Sequence, residues 1–447
     1  MSVSEQTDSA EDKDKGQTVS ARAVALGLLV QVLDKKMALD MALERDRGFH
    51  NLPVRDRAFV RMAVGTTLRR LGQIDDFIAR ALDKKVTLNP PVLQHLLRLG
   101  AAQIAFMNVP DYAVVDTSVR LAVEQNLSRQ KGLINAVLRR VTENHKEWEA
   151  KQDFARMNIP DWLLKCWIAD YGLSEAANIA QASLSEAPLD ISLKSSEEAS
   201  YWEGVLEATR LPSGTLRRIG GGDVRQFSGF DDGMWWVQDA AAALPAMLLG
   251  DVSGKEVVDM CAAPGGKTAQ LAAAGANVIA LDRSSQRLKK LDENMKRLRL
   301  DERVKTQIAD AGEWTTKTPP THILLDAPCT ATGTIRRHPD VLALKHPRDL
   351  DRLVEIQRKI LSNACDLLAQ GGILVYCTCS LQKAEGEEQI AWLLSARPDM
   401  QRVPVQAEEI GGLATLINEA GDVRVLPYHM AAQGGMDGFF AARLMKT

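Results

Sequence analysis

Nothing in the sequence is apolar for long enough to cross a membrane. The most apolar run, AAAALPAMLLG at 240–250, is bounded by Gln238-Asp239 and Asp251 and falls short of the roughly 20 residues a spanning helix needs. It reads as a buried helix. No positively charged start leads into an apolar stretch either. The chain opens MSVSEQTDSAEDKDKGQTVS, polar and poor in apolar residues, so secretion is not expected and residues 1–18 read as a disordered tail. Cysteine is scarce: Cys166, Cys261, Cys329, Cys365, Cys377 and Cys379 are the six in 447 residues. That is too few for a disulfide framework, and free thiols in a reducing cytoplasm are expected. An excess of one charge is lacking too, since 55 Lys and Arg face 58 Asp and Glu, a net of -3. Any attraction to nucleic acid therefore has to come from local basic surfaces.

What is there has room for two or three domains, with 45% apolar residues over 447 positions. Residues 19–145 are helical in period: Ala25, Leu28, Leu29 and Val32 make one apolar stripe, and further stripes run near 55–82, 91–106, 111–125 and 132–142. Asn89-Pro90-Pro91 starts one helix and Pro110-Asp111 interrupts the chain before the next. Residues 146–235 read as a connector, first helical around IPDWLLKCWIADYG and then a small α/β subdomain of short apolar runs. From 236 to 447 short continuous hydrophobic strands alternate with helices: KEVVDMC, NVIALD, RVKTQIAD, THILLD and GGILVYC. That pattern predicts a mostly parallel sheet covered on both faces, with ligands at the carboxyl ends of its strands. The fold class expected is an N-terminal all-α bundle, a small α/β connector and a C-terminal α/β Rossmann-like domain.

Strand Val257-Val258-Asp259-Met260 runs into Cys261-Ala262-Ala263-Pro264-Gly265-Gly266-Lys267-Thr268 and a helix. Paired glycines there permit a tight turn and close ligand approach beneath a helix N-terminus. An ATP loop, G-x-x-x-x-G-K-T, needs glycine at 261, where this chain has Cys, and the dinucleotide G-x-G-x-x-G is absent. The next strand ends at Asp282, where a carboxylate can accept both hydroxyls of a ribose. Asp310 and Asp326 mark two further strand ends. A single such Asp is commonly a helix cap; four in succession favour an adenosine-type ligand. A glycine turn and a ribose carboxylate without a pyrophosphate fingerprint fit S-adenosyl-L-methionine.

Cys329, in Asp326-Ala327-Pro328-Cys329, and Cys379, in Tyr376-Cys377-Thr378-Cys379-Ser380, follow strand ends over the same sheet edge. Zinc is the rival use of Cys329, Cys377, Cys379 and His338, but no C-x-x-C pair exists. The deaminase pattern fails as well: His145-Lys146-Glu147 supplies H-x-E, but Pro328-Cys329 lacks the later cysteine of P-C-x-x-C. No metal is expected.

The motifs VVDMCAAPGGKT, VIALDRS, LLDAPCTATGTIRRHPD and LVYCTCS together resemble the RNA cytosine-5 methyltransferases, in particular the bacterial 16S rRNA enzymes of the Sun/Fmu type. Asp56-Arg57-Ala58-Phe59 and KGLINAVLRR at 131–140 resemble the NusB-like RNA-binding domain, so the likeness covers nearly everything after residue 20. The resemblance implies that Cys379, as thiolate, attacks C6 of a flipped cytosine so that C5 takes the methyl group from S-adenosyl-L-methionine. By spacing alone Cys377 is the nucleophile candidate; the family places the nucleophile in the Thr-Cys pair, hence Cys379. It further implies that Asp326 binds and protonates the N3 edge and that Cys329 serves the release step. Cofactor contacts carried over are Cys261, Ala262, Ala263, Pro264, Gly265, Gly266, Lys267, Asp282 on ribose, Arg287, Asp310 near adenine, and Asp326. The implied partner is 16S rRNA, free or in an early assembly intermediate, with cytosine 967 in standard RNA numbering as target and the enzyme a cytoplasmic monomer. Two readings compete. One is the same chemistry on tRNA or another rRNA cytosine; the other is an RNA-binding factor without catalysis, which the two cysteines disfavour.

The chain departs from the family where LRVN is usual and Ile191-Ser192-Leu193-Lys194 stands, and where Glu-Asn is usual and Glu385-Gly386 stands. Gly438-Phe439-Phe440 reads as the final strand, its phenylalanines in the core. For RNA contact, residues 283–305 carry nine Lys or Arg against four acidic residues, and Arg336-Arg337 follow the Cys329 loop. Arg336 and Arg337 are the expected contacts beside the active site, with Arg129-Lys131 and Arg139-Arg140 a second surface.

Overall fold

The structure is a computed structural model that describes residues 20–447 apart from Lys84, Lys85 and Gly221; the tail expected over 1–18 lies outside the described residues. Ser20 starts the first helix, Ala21–Leu33, by accepting the N–H of Ala23 on its hydroxyl. Longer helices follow at Val54–Arg69, Leu71–Ala81, Pro91–Phe106, Asp111–Glu124 and Lys131–Glu149. The stripe Ala25, Leu28, Leu29 and Val32 is buried in their common core with Val64, Leu97, Ile134 and Leu138. The helical bundle read from the period is the one that forms.

Helices Phe154–Asn158, Asp161–Tyr171 and Leu173–Ser183 come next. Their buried face, Leu163, Trp167 and Ile179, packs on Ile335, Leu342, Leu381 and Leu426 of the C-terminal part. A four-stranded antiparallel sheet then forms from β1 (Leu189–Leu193), β2 (Thr209–Arg210), β3 (Leu216–Arg218) and β4 (Trp235–Val237), in the order β2-β3-β1-β4. Lys194, one of the departures from the family pattern, sends its ammonium to the Leu298 carbonyl at 2.7 Å. It thereby caps the C-terminus of helix Ser285–Leu298, where a cation is favoured.

The large sheet holds β5 (Glu256–Met260), β6 (Asn277–Asp282), β7 (Val304–Ile308), β8 (His322–Asp326), β9 (Ile373–Thr378), β10 (Met400–Arg402), β11 (Val423–Val425) and β12 (Phe439–Lys446). Its order is β10-β12-β9-β8-β5-β6-β7, with β11 on β12. β5 to β9 run parallel, whereas β12 is antiparallel to β9. Alternate residues feed opposite faces: Val257, Leu324 and Val375 pack under helices Ala240–Met247, Gly266–Ala273 and Ser285–Leu298. Val258, Leu325 and Tyr376 pack under Pro347–Leu367 and Glu387–Ala396. The chain steps outward from β5 through β6 to β7 and returns to β8 on β5's other side, so the crevice for a ligand opens above β5.

The helical part meets the rest through specific polar contacts. The Leu39 N–H donates to Asp340 at 3.0 Å, Arg69 donates to the Arg336 carbonyl at 2.9 Å, and Lys290 pairs with Glu44 at 2.6 Å.

Candidate active site

Past β5, Cys261 adopts φ +63 and Gly265 φ +101 at the start of helix Gly266–Ala273. A side chain at 265 is doubly excluded, because its Cβ would lie 2.7 Å from Leu291 Cγ. Asp259 sits beneath this turn, fully buried, and accepts the Thr268 hydroxyl at 2.6 Å. Burial pushes its carboxyl up to about 7 against that hydrogen bond. Of the four acidic strand ends, this one holds the turn from below. Burial and the surrounding carboxylates Asp326, Asp282 and Asp259 raise the Cys261 thiol above its ordinary value.

Asp282 accepts the N–H groups of Ser284 (2.9 Å) and Ala263 (3.3 Å) and lies 3.2 Å from the Arg287 guanidinium. Arg287 also donates to the Ala263 carbonyl, so it ties the glycine turn to the end of β6. Asp310, past β7, accepts the Gly312 N–H at 2.9 Å and stands 4.0 Å from Arg283. The sequence-read residues 261–267, Asp282, Arg287 and Asp310 are thus gathered at adjacent strand ends beside the switch in strand order.

Lys267 does something its sequence position did not announce. It is buried, and its ammonium pairs with Asp326 at 2.7 Å, at the end of β8, while lying 5.0 Å from the Phe439 ring centre. Burial disfavours its charge, but Asp326 and the thiols of Cys377 and Cys379 hold it above its ordinary value. Cys377 is buried within β9, 3.7 Å from Asp326, and burial followed by the Asp326 charge raises its thiol well above the usual range. Phe439 and Phe440 are both buried in β12.

Cys329 and Cys379 are half-buried, free and 3.4 Å apart, sulfur to sulfur. The hydrogen bond with Cys379, then burial, then the Cys379 and Glu385 charges lift the Cys329 thiol well above its ordinary value. Cys379 opens into a cleft of about 480 Å³ whose walls are Ala331, Thr334 and His338 on one side and Lys36, Ala38 and Asp40 of the helical part on the other. That volume falls in the range of small-ligand sites.

Beneath both cysteine loops lies a polar cluster that sequence reasoning passed over. Glu385 is fully buried and accepts the Thr330 N–H at 2.9 Å, the Gln357 amide at 3.0 Å, and the hydroxyls of Thr330 and Ser380. Thr330 adjoins Cys329 and Ser380 adjoins Cys379, so one carboxylate anchors both loops. The only signal in the sequence was Glu385 itself, six positions beyond Cys379. At Gly386 a Cβ would come 2.5 Å from Arg424 Nη2 and 2.9 Å from Phe440 Cγ. Arg424, which pairs with Glu387 and donates to the Ser380 carbonyl at 2.7 Å, fills the space a side chain there would need.

Arg336 and Arg337, the expected RNA contacts beside Cys329, do not project freely into solvent. Arg336 is 2% exposed, and Arg337 turns inward to Asp437 and, at 3.9 Å, to Asp239. The basic run 283–305 is also partly committed: Arg297 donates to the Phe230 carbonyl at 2.6 Å, Arg303 to that of Gly275 at 3.0 Å, and Lys290 pairs with Glu44. Arg129, Arg139 and Arg140 are all exposed, and Arg140 also donates to the Ala81 carbonyl at 2.7 Å.

A mostly parallel sheet, a glycine turn after its first strand and carboxylates at the next strand ends define an S-adenosylmethionine-dependent methyltransferase. Residues 246–445 match the family model described as 16S rRNA methyltransferase RsmB/F, and residues 19–143 match the NusB family. The ribosomal RNA small subunit methyltransferase B of Vibrio vulnificus is 32% identical over 442 residues, spanning 96% of this chain and 100% of that protein. Among solved structures, PH0851 superposes with a TM-score of 0.73 at 22% identity over 96% of this chain and 99% of that one. A methyltransferase homologue from Pyrococcus horikoshii gives 0.53 at 25% identity over 65% and 100%. The chain belongs to the RsmB/F family of 16S rRNA methyltransferases. It is an RNA cytosine-5 methyltransferase acting on rRNA, and no helix among the described residues is long and apolar enough to cross a membrane.

Proposed function

We propose that the enzyme methylates C5 of one cytosine in 16S rRNA, cytosine 967 in standard numbering, through a covalent bond between Cys379 and C6, acting on free rRNA or an early assembly intermediate. The observation that carries this reading is the pair Cys329 and Cys379, 3.4 Å apart, with Cys379 open to a cleft. Cys377, the rival by spacing, is buried in the sheet. The division of labour proposed is an RNA-holding helical domain over 19–145, a connector over 146–235 and a catalytic domain over 236–447, working as a monomer in the cytoplasm.

The residues fit S-adenosyl-L-methionine: the turn 261–266, shaped by a glycine that admits no side chain, would receive the methionine portion, while Asp282 would hold the ribose and Asp310 would serve the adenine. Bound there, the cofactor supplies an electrophilic methyl group on a sulfonium. Arg287 keeps the turn and Asp282 in register. Cys379 forms the S–C6 bond, which makes C5 nucleophilic, as an addition to a conjugated ring does. Asp326, paired with Lys267, faces the N3 edge, where negative charge develops and a proton is taken up. Cys329, whose thiol is held above its ordinary value first by its hydrogen bond with Cys379, loses that constraint once the Cys379 sulfur is bonded to carbon. Once C5 has taken the methyl group, which would leave the cofactor as a neutral thioether, Cys329 as thiolate takes the C5 proton. The S–C6 bond breaks with its electron pair returning to the Cys379 sulfur, N3 gives its proton back to Asp326 and the ring regains its C5–C6 double bond.

Bisulfite mapping of total RNA from cells with and without the gene tests the target. A single missing signal in 16S rRNA is expected; unchanged rRNA with a lost tRNA signal would overturn it.

A further inference from the structure

A second cleft of about 340 Å³ lies beside the one that holds Cys379, and the two share Asp40 as a wall. It opens where the helical part, the connector and the catalytic part meet. Five arginines line it, Arg57, Arg61, Arg69, Arg336 and Arg337, against the three carboxylates Asp40, Glu186 and Asp223. Asp223 is taken up by Arg57 at 3.2 Å and by Arg225 at 2.9 Å. Asp40 lies 3.4 Å from the His338 ring.

The cations of the floor are under-used. Arg336 and Arg69 are both more than nine-tenths buried, yet Nε and Nη1 of Arg336 and Nε of Arg69 have no hydrogen-bond partner. Buried guanidinium N–H groups without acceptors are costly. Burial pushes the Arg69 guanidinium down to about 10 and lowers that of Arg336 as well. Arg61, at the rim, is exposed and stacks on the Phe49 ring at 4.9 Å, and among the described residues no ion pair ties it down. A fork of planar donors, part buried and part at the rim, suits a tetrahedral anion with several acceptor oxygens.

We propose that this arginine cleft binds a phosphate of the substrate RNA backbone, next to the nucleotide whose base enters the Cys379 cleft. The inference rests on the RNA-methylating function argued above and adds the place where the strand is gripped. A strand passing Asp40 goes from the thiol cleft directly to the arginines, so the grip is built jointly by the helical and catalytic parts. Arg336 and Arg337 therefore lie near the RNA path after all, but as the floor of a pocket across Asp40 from the cysteines.

The test is RNA affinity of the full-length protein, measured by filter binding to a transcribed 16S rRNA fragment over a range of salt, for wild type, Arg61→Gln and Arg61→Lys. Arg61→Gln is expected to weaken binding about 3- to 10-fold and to flatten the log-affinity against log-salt slope by about 0.7 to 0.9, with Arg61→Lys restoring the slope. An unchanged affinity and slope for Arg61→Gln overturns the proposal. So does a result in which inorganic phosphate at constant ionic strength raises the melting temperature of wild type but not of Arg61→Gln while RNA affinity is the same for both, which would assign the cleft to free phosphate. If wild type methylates rRNA and Arg61→Gln binds normally, only the cleft falls; if Arg61→Gln binds weakly and wild type methylates no rRNA, only the substrate reading falls.

Discussion

The sulfur atoms of Cys329 and Cys379 lie 3.4 Å apart although the residues are 50 positions apart in the chain and follow different strands, β8 and β9. In the mechanism proposed above, these two thiols divide the reaction into an addition and a release. Cys379→Ala is expected to abolish methylation. Cys329→Ala is expected to retain the first bond and accumulate a covalent protein–RNA species, seen as a shifted band on a denaturing gel. Full turnover by Cys379→Ala would refute the assignment of the nucleophile.

The same pair makes a prediction about thiol reactivity. Cys329 is held above its ordinary value first by its hydrogen bond with Cys379. Replacing Cys379 by Ala removes that bond and the neighbouring charge, so Cys329 ionises at lower pH. Iodoacetamide labelling of Cys329, followed by mass spectrometry across pH, should then shift its midpoint downward in Cys379→Ala; an unmoved midpoint counts against the coupling.

Glu385 holds both cysteine loops without touching either thiol, so its removal leaves several buried donors without an acceptor. Glu385→Ala is expected to cost about 2–4 kcal/mol of stability and to lower kcat about 100-fold through misplacement of the thiols. The KM for S-adenosyl-L-methionine should hold, because the cofactor turn lies on other strands. Glu385→Gln, which keeps an acceptor, should recover part of kcat; an equal loss in both variants would mean that the network does not position the sulfurs.

Asp259 offers a stability test with a definite sign. Its carboxyl titrates at about 7 in the folded chain against about 4 when unfolded. Below about pH 4 the two states bind the proton alike; as pH rises towards 7 the unfolded state ionises first, and the fold loses stability relative to a neutral side chain. Asp259→Asn should therefore gain on wild type by about 1–3 kcal/mol between pH 4 and pH 8. Thermal melts at both pH values measure it, and a constant difference would remove the assigned cause.

Much of this was legible in the sequence because its signals are local. Val257-Val258, Leu324-Leu325 and Leu374-Val375 alternate between two cores, and short continuous runs of that kind announce a sheet covered on both faces. The Cys261–Thr268 turn and the strand-end aspartates were readable for the same reason, since each sits where a strand stops. Side-chain direction in loops was not. Arg336 and Arg337 are close to Cys329 in sequence, but the carboxylates that turn Arg337 inward, Asp239 and Asp437, lie about a hundred positions away on either side. Cys377 and Cys379 share the parity of their strand, so alternation does not separate them; what does is that β9 stops at Thr378. The Glu385 cluster stayed hidden because its meaning depends on Thr330, which only the pairing of β8 with β9 brings near.

β12 lies one strand in from the edge of the sheet, between β9 and β10. Residues 439–446 are thus translated after all the candidate site residues, yet they support the strand that leads to Cys379 and supply the Phe439 ring packed near Lys267. Until that segment is in place, β9 has a bare edge on the side where β12 pairs with it. Closing the sheet beside Cys379 therefore waits on a segment made well after that cysteine, so the order of synthesis and the order of the strands disagree at this side of the sheet.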